Sequence, residues 1–251
     1  MNSLFDLTDK IAVVTGGSTG LGAGMSLGLA ESGAHVALVD RVASSDTEQK
    51  IKAFGRKSMV IVADLSKRES PHEIITKVID KFGKIDILIN NAGIIRRTPA
   101  VDFSEADWDE VMMINARSAF FMCQLAGREM MKRKRGKIIN IASLLSFQGG
   151  ILVPSYAASK AAIAQVTKAL ANEWAQHGIN VNAIAPGYMA TNNTKALRED
   201  PVRSKAILDR IPAARWGSPD DLKGAAVFLA SSASDYVNGH VLVVDGGWMA
   251  R

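Results

Sequence analysis

The sequence has a single cysteine, Cys123, in 251 residues. That excludes an internal disulfide and a thiolate metal cluster, and it points to a reducing, cytoplasmic compartment. No apolar run approaches the ~18 residues that would raise a membrane span, so no membrane partner is expected. Met1–Lys10 lacks a basic segment followed by an apolar stretch, so no targeting leader is expected there. The four histidines, His35, His72, His177 and His240, are scattered without ligand spacing, and no metal site is expected. Linkers rich in Pro, Gly or Ser, low-complexity tracts and internal repeats are all missing. Charge is nearly balanced, with 30 basic and 25 acidic residues. The one dense basic run, Lys132-Arg133-Lys134-Arg135, reads either as a helix end favoured by the macrodipole or as the seat of an anionic partner. A net charge of +5 is modest, and nucleic acid is not needed to explain it.

What is present is alternation. Short β-rich runs at Ile11–Thr15, His35–Asp40, Ser58–Asp64, Ile85–Asn90, Lys137–Ser143, Ile179–Ala185 and Val241–Asp245 are separated by helical stretches. The clearest of these are Leu21–Ser32, Pro71–Phe82, Glu105–Lys134 and Tyr156–His177. Most of the β runs are continuously apolar, as suits strands covered on both faces of a parallel sheet. The pattern predicts a doubly wound α/β fold, and 251 residues with 47% apolar content suit one domain, residues 1–251. Met189–Arg215 breaks the rhythm with a polar stretch carrying Pro201 and Pro212, and is expected to form a lid over a ligand.

The first strand runs into Gly16-Gly17-Ser18-Thr19-Gly20-Leu21-Gly22, followed by a helix. A strand, a glycine turn and a helix N-terminus present backbone N–H groups to a pyrophosphate, and a β-carbon would obstruct that approach. An ordinary tight connection is the alternative. About twenty residues on, the second strand ends in Asp40, where a carboxylate can accept from adenosine ribose hydroxyls and repel an extra phosphate. This favours NAD, although Arg41 follows directly. Asp64-Leu65 and Asn91-Ala92-Gly93 end the third and fourth strands, on the edge where such sheets bind ligands. Asp64 suits an adenine amino group, and Asn91 with Gly93 suits the riboses.

Tyr156-Ala157-Ala158-Ser159-Lys160 sets a phenol and an amine four residues apart on one helix face. A free phenol, with a pKa of about 10, is a poor base at neutral pH, and a neighbouring ammonium favours its ionised form. Ser143, thirteen residues upstream, can hold a substrate oxygen. Asn115, an amide among Met112, Met113, Ile114 and Ala116, reads either as functional or as a buried amide satisfied by local backbone.

Together, Thr15-Gly16-x3-Gly20-x-Gly22, Asn90-Asn91-Ala92-Gly93, Asn115, Ser143, Tyr156-x3-Lys160 and Pro186-Gly187 resemble the short-chain dehydrogenase/reductase family over essentially the whole chain. The resemblance implies a Rossmann-type domain with a seven-stranded parallel sheet. It implies Tyr156 as acid/base, Lys160 as its activator, Ser143 as orienter and Asn115 as anchor of a relay water. It carries cofactor contacts to Pro186, Gly187, Met189 and Thr191 as well as to the glycine turn, and it implies a homotetramer paired through the two long helices.

Further segments, including Asn91–Arg97, Leu145–Gly150, Ala185–Thr194 and Arg210–Gly217, are similar to members acting on a keto-sugar acid. A sugar acid needs a cation for its carboxylate and polar groups for its hydroxyls. Arg96, Arg97 and Gln148 lie on the ligand edge, where they are candidate substrate contacts beside Ser143 and Tyr156. Other sugar-alcohol dehydrogenases, a 3-oxoacyl reductase and a catalytically silent NAD-sensing scaffold are the rival readings.

Overall fold

The computed structural model describes residues 4–251. Met1–Ser3, the start of the segment expected to carry no leader, lie outside the described residues. Seven strands form one parallel sheet: β1 (Ile11–Thr15), β2 (His35–Asp40), β3 (Ser58–Val62), β4 (Ile87–Asn90), β5 (Gly136–Ile141), β6 (Ile179–Pro186) and β7 (Val241–Val244). Their order is β3-β2-β1-β4-β5-β6-β7. Chain order reverses between β1 and β4, and ligands enter sheets of this kind at the carboxyl ends beside that reversal.

The helices are α1 (Gly20–Glu31), α2 (Asp46–Ala53), α3 (Ser70–Phe82), α4 (Glu105–Met112), α5 (Ala119–Lys132), α6 (Pro154–Trp174), α7 (Lys195–Glu199), α8 (Pro201–Arg210) and α9 (Lys223–Ala230). They cover both sheet faces, which is why the strands are apolar throughout. Val14 packs with Leu29 and Leu229 beneath α1 and α9, while its neighbour Val13 packs with Ile74, Met122 and Leu170 beneath α3, α5 and α6. The expected single-domain, seven-stranded parallel architecture is present.

Several boundaries differ from the sequence reading. β3 and β5 end before Asp64 and Ser143, although one more ladder bond follows each, from the Ala63 N–H to Asp40 O and from the Ala142 N–H to Ile184 O (2.9 and 2.8 Å). Asp64 and Ser143 therefore sit just past the sheet, free to cap or to bind. The stretch expected as one helix over Glu105–Lys134 is divided by a π-helical turn at Met113–Ser118. The last long helix starts earlier, at Pro154, because proline has no N–H to lose in a first turn.

Candidate active site

The glycine turn leaves β1 with Gly16 and Gly20 at φ +62° and +53°. A β-carbon on Gly22 would overlap the Gly16 carbonyl and sit 2.6 Å from Asn91 Nδ2, so only glycine fits there. The first turn of α1 holds no acidic residue, leaving its N-terminal N–H groups to an anion. Ser18 shapes the other side, its N–H and Oγ both donating to Asp40 Oδ2 at 3.0 and 2.6 Å. Burial raises the Asp40 pKa above the ordinary carboxylate value, and these bonds oppose it. Donors, shape and terminal carboxylate fit a dinucleotide with Gly16, Ser18, Thr19, Gly20, Leu21 and Gly22 against its phosphates.

Asn91, expected near the riboses, also has a structural part. Its Nδ2 donates to Thr15 O and Gly16 O, both at 3.0 Å, while Thr15 Oγ1 accepts from the Asn91 and Ala92 N–H groups. The side chain thus pins the glycine turn to β4. Asp64 Oδ1 accepts from the Ser66 N–H and Oγ, which holds its pKa below the ordinary value. Leu65 packs its side chain into the core beneath α3.

Across the crevice, four expected residues converge. A β-carbon on Gly93 would lie 3.2 Å from Asn115 Oδ1 and 3.8 Å from Lys160 Nζ. The π turn carries Asn115 inward. Its Oδ1 accepts from the Ile94 N–H at 2.8 Å, and its Nδ2 donates to Ile94 O at 2.9 Å and Ser159 Oγ at 3.1 Å. Lys160 is buried, donates to Ile141 O at 2.5 Å and stands 5.6 Å from the centre of the Tyr156 ring. Burial lowers its pKa to about 8. Tyr156 is half-buried; burial raises its pKa, opposed by a hydrogen bond with Ser143 and by the Arg97 charge. In the protein alone, then, desolvation outweighs Ser143 and Arg97, and the phenol lies above its ordinary value.

Ser146 was not singled out by the sequence reading. Its Oγ donates to Lys160 O at 2.7 Å and accepts from the Ser143 N–H, closing a capping box with Ser143. The Ser-x2-Ser spacing was the available signal.

Arg96 and Arg97 are adjacent but diverge. Arg96 turns to α4, 2.6 Å from Glu110 Oε2 and 3.3 Å from Asp107 Oδ1, so its charge is already matched. Arg97 reaches across the crevice to donate to Asn193 O at 2.9 Å. Gln148 Oε1 accepts from Trp248 Nε1 at 3.4 Å.

The stretch expected as a lid carries α7 and α8 and is joined to the loop before α9 by a bridge between Met189 and Gly217. Gly187 lies so close to Asp245 that a β-carbon there would come within 2.6 Å of its Cα. Thr191 stands opposite the glycine turn, its Cγ2 4.0 Å from where a Gly20 β-carbon would sit. Thr191 therefore faces the glycine turn, while Met189 packs into the core.

Residues 16–249 match the family described as enoyl-(acyl carrier protein) reductase. A 2-dehydro-3-deoxy-D-gluconate 5-dehydrogenase of Dickeya dadantii (strain 3937) is 59% identical over 248 residues, covering 98% of each chain. The chain belongs to the short-chain dehydrogenase/reductase family. A protein of the same name from Escherichia coli (strain K12) is 57% identical over 250 residues, covering 99% of each. A gluconate 5-dehydrogenase from Burkholderia cenocepacia J2315, solved in complex with NADP and tartrate, superposes with a TM-score of 0.92 at 39% identity, covering 98% of both chains. The protein is thus an oxidoreductase of this family acting on alcohol groups with a nicotinamide cofactor. Among the described residues, no helix is long and apolar enough to cross a membrane.

Proposed function

We propose that the protein interconverts 2-dehydro-3-deoxy-D-gluconate and 3-deoxy-D-glycero-2,5-hexodiulosonate with NAD(H), oxidising or reducing C5. The observation that carries this reading is the Tyr156 phenol with Lys160 Nζ 5.6 Å from its ring centre and Ser143 and Arg97 opposing the rise of its pKa. Two full-length relatives that bear this activity in their names supply the substrate.

When bound, the nicotinamide supplies or accepts the hydride. In oxidation the Tyr156 oxygen takes the C5 hydroxyl proton while Ser143 Oγ holds the substrate oxygen. In reduction the phenol returns that proton. Positioned proton transfer of this kind is worth roughly 10²–10⁴-fold. Lys160 binds the ribose and holds the local field, and Asn115 anchors the relay water. Arg97 holds the substrate carboxylate, Gln148 a hydroxyl, and residues 189–215 close over both. Asp40 supports NAD, since its carboxylate would repel a 2′-phosphate. The family resemblance supports a homotetramer paired through α5 and α6, and a cytoplasmic place in hexuronate and pectin breakdown.

A second reading, gluconate 5-dehydrogenase with NADP, is favoured by the solved Burkholderia enzyme. The deciding experiment follows oxidation of NADH and of NADPH in parallel as diketo and keto sugar acids, including 5-keto-D-gluconate, are reduced. The proposal requires the highest kcat/KM with the hexodiulosonate and NADH. A preference for 5-keto-D-gluconate with NADPH would overturn it.

A further inference from the structure

A second positively charged region lies at the opposite end of the sheet from the crevice. At the amino ends of β5 and β6 a cavity of about 580 Å³ is lined by Lys134, Arg135, Lys137, Asn180, Tyr236 and Asn238, with Asp235 its one carboxylate. That volume is in the range of small-molecule sites.

The basic run divides here. Lys132 pairs with Glu129 and Arg133 with Asp86, both within 2.8 Å. Lys134 and Arg135, which line the cavity, have no ion pair or hydrogen bond from their side chains among the described residues. Asp235 does not neutralise them, because its Oδ1 is taken by Lys137 Nζ at 2.7 Å. The amides are also committed. Asn180 Nδ2 donates to Asp235 O and Val237 O, and Asn238 Oδ1 accepts from the Val181 N–H. The walls are therefore fixed and two cations are left over.

Lys134 also sits at φ +50°, a left-handed conformation just past the end of α5. Glycine or asparagine usually takes that place, because a β-carbon is strained in it. Burial lowers the Lys137 pKa; Asp235 opposes the shift and Arg135 adds to it by repulsion. An anion in the cavity would relieve that repulsion.

We propose that this cavity binds a small polyanion with two or more carboxylate or phosphate groups, held by Lys134 and Arg135, remote from the catalytic crevice. Nucleic acid fits less well, since it needs an array of phosphate contacts and the cavity offers two free cations in a concave site. Tyr236, fully exposed at the rim, offers a ring face to the organic part of such a ligand.

The test is calorimetric titration of pyrophosphate and of citrate into the full-length protein saturated with NADH or NADPH, so that the crevice is already filled. Saturable binding is expected with at least one of them, and the preferred anion identifies phosphate or carboxylate as the natural group. Arg135→Ala and Lys134→Gly should each weaken Kd by about tenfold, the loss of one charge-assisted contact, with kcat and KM unchanged. Lys134→Gly relieves the backbone strain, so it should bind less while melting at a higher temperature, which separates lost binding from misfolding. Arg97→Ala should bind both anions as the parent does. The proposal is overturned by an absence of saturable binding, by binding that both cavity variants retain, by binding lost in Arg97→Ala, or by cavity variants that change only the oligomeric size or the retention of an oligonucleotide.

Discussion

Lys160 holds its amine at about 8 against an ordinary 10.5, because burial removes water from the ammonium. Between pH 8 and pH 10.5 the unfolded chain therefore binds a proton that the folded chain does not, and this group makes stability rise with pH across that window. Below pH 8 it is charged in both states, and its burial costs at most about 3 kcal/mol. Lys160→Met should thus stabilise the cofactor-free protein at pH 7 and flatten its stability between pH 8 and pH 10, while lowering turnover. Urea unfolding at several pH values checks this, and a variant less stable than the parent at pH 7 would contradict it. Arg97 is the second residue whose position matters here. Arg97→Ala removes a charged contact worth about 1.5–3 kcal/mol, so KM for the sugar acid should rise ~10- to 150-fold. KM for a neutral ketone analogue should stay nearly constant. Equal effects on both substrates would remove the carboxylate clamp.

The π turn that divides α4 from α5 does at the scale of an element what no single residue does. It carries Asn115 inward to meet both the backbone of Ile94 and Ser159. The amide was legible in the sequence as a polar residue among apolar ones. The turn was not, since a shift in backbone hydrogen bonding leaves no mark on composition or periodicity. The C-terminal tail is a similar case. Trp248 is buried against Leu144, Ile207 and Ile211, stacks with Arg210 at 4.0 Å and donates to Gln148. It thereby ties α8 to the loop after Ser143, across 100 residues of chain that no local pattern could join. Trp248→Ala should cost about 3–5 kcal/mol of stability and raise KM as α8 loosens. A loss below about 1 kcal/mol in urea unfolding would show that the tail is not what holds α8.

For the whole molecule, the alternation of continuous apolar runs with helical stretches made the sheet and its two covered faces legible. A strand buried on both sides must be apolar at every position, as Val13 and Val14 show. The crevice was legible where chemistry restricts the residue, at Gly22, Asp40 and Tyr156-x3-Lys160. It was not legible where two neighbours share a chemistry. Arg96 and Arg97 are indistinguishable in sequence, and the fold separates them by turning Arg96 to the carboxylates of α4 and Arg97 to the crevice. Nor could the sequence show that burial would outweigh Ser143 and Arg97 at Tyr156, because desolvation is a property of the packed molecule. The most direct measurement is on Tyr156→Phe, which keeps the ring and deletes only the hydroxyl. NADH binding should match the parent's by fluorescence titration, while kcat for keto-sugar-acid reduction should fall by at least ~10²-fold. Turnover near the parent's, with cofactor binding intact, would contradict proton transfer by this phenol.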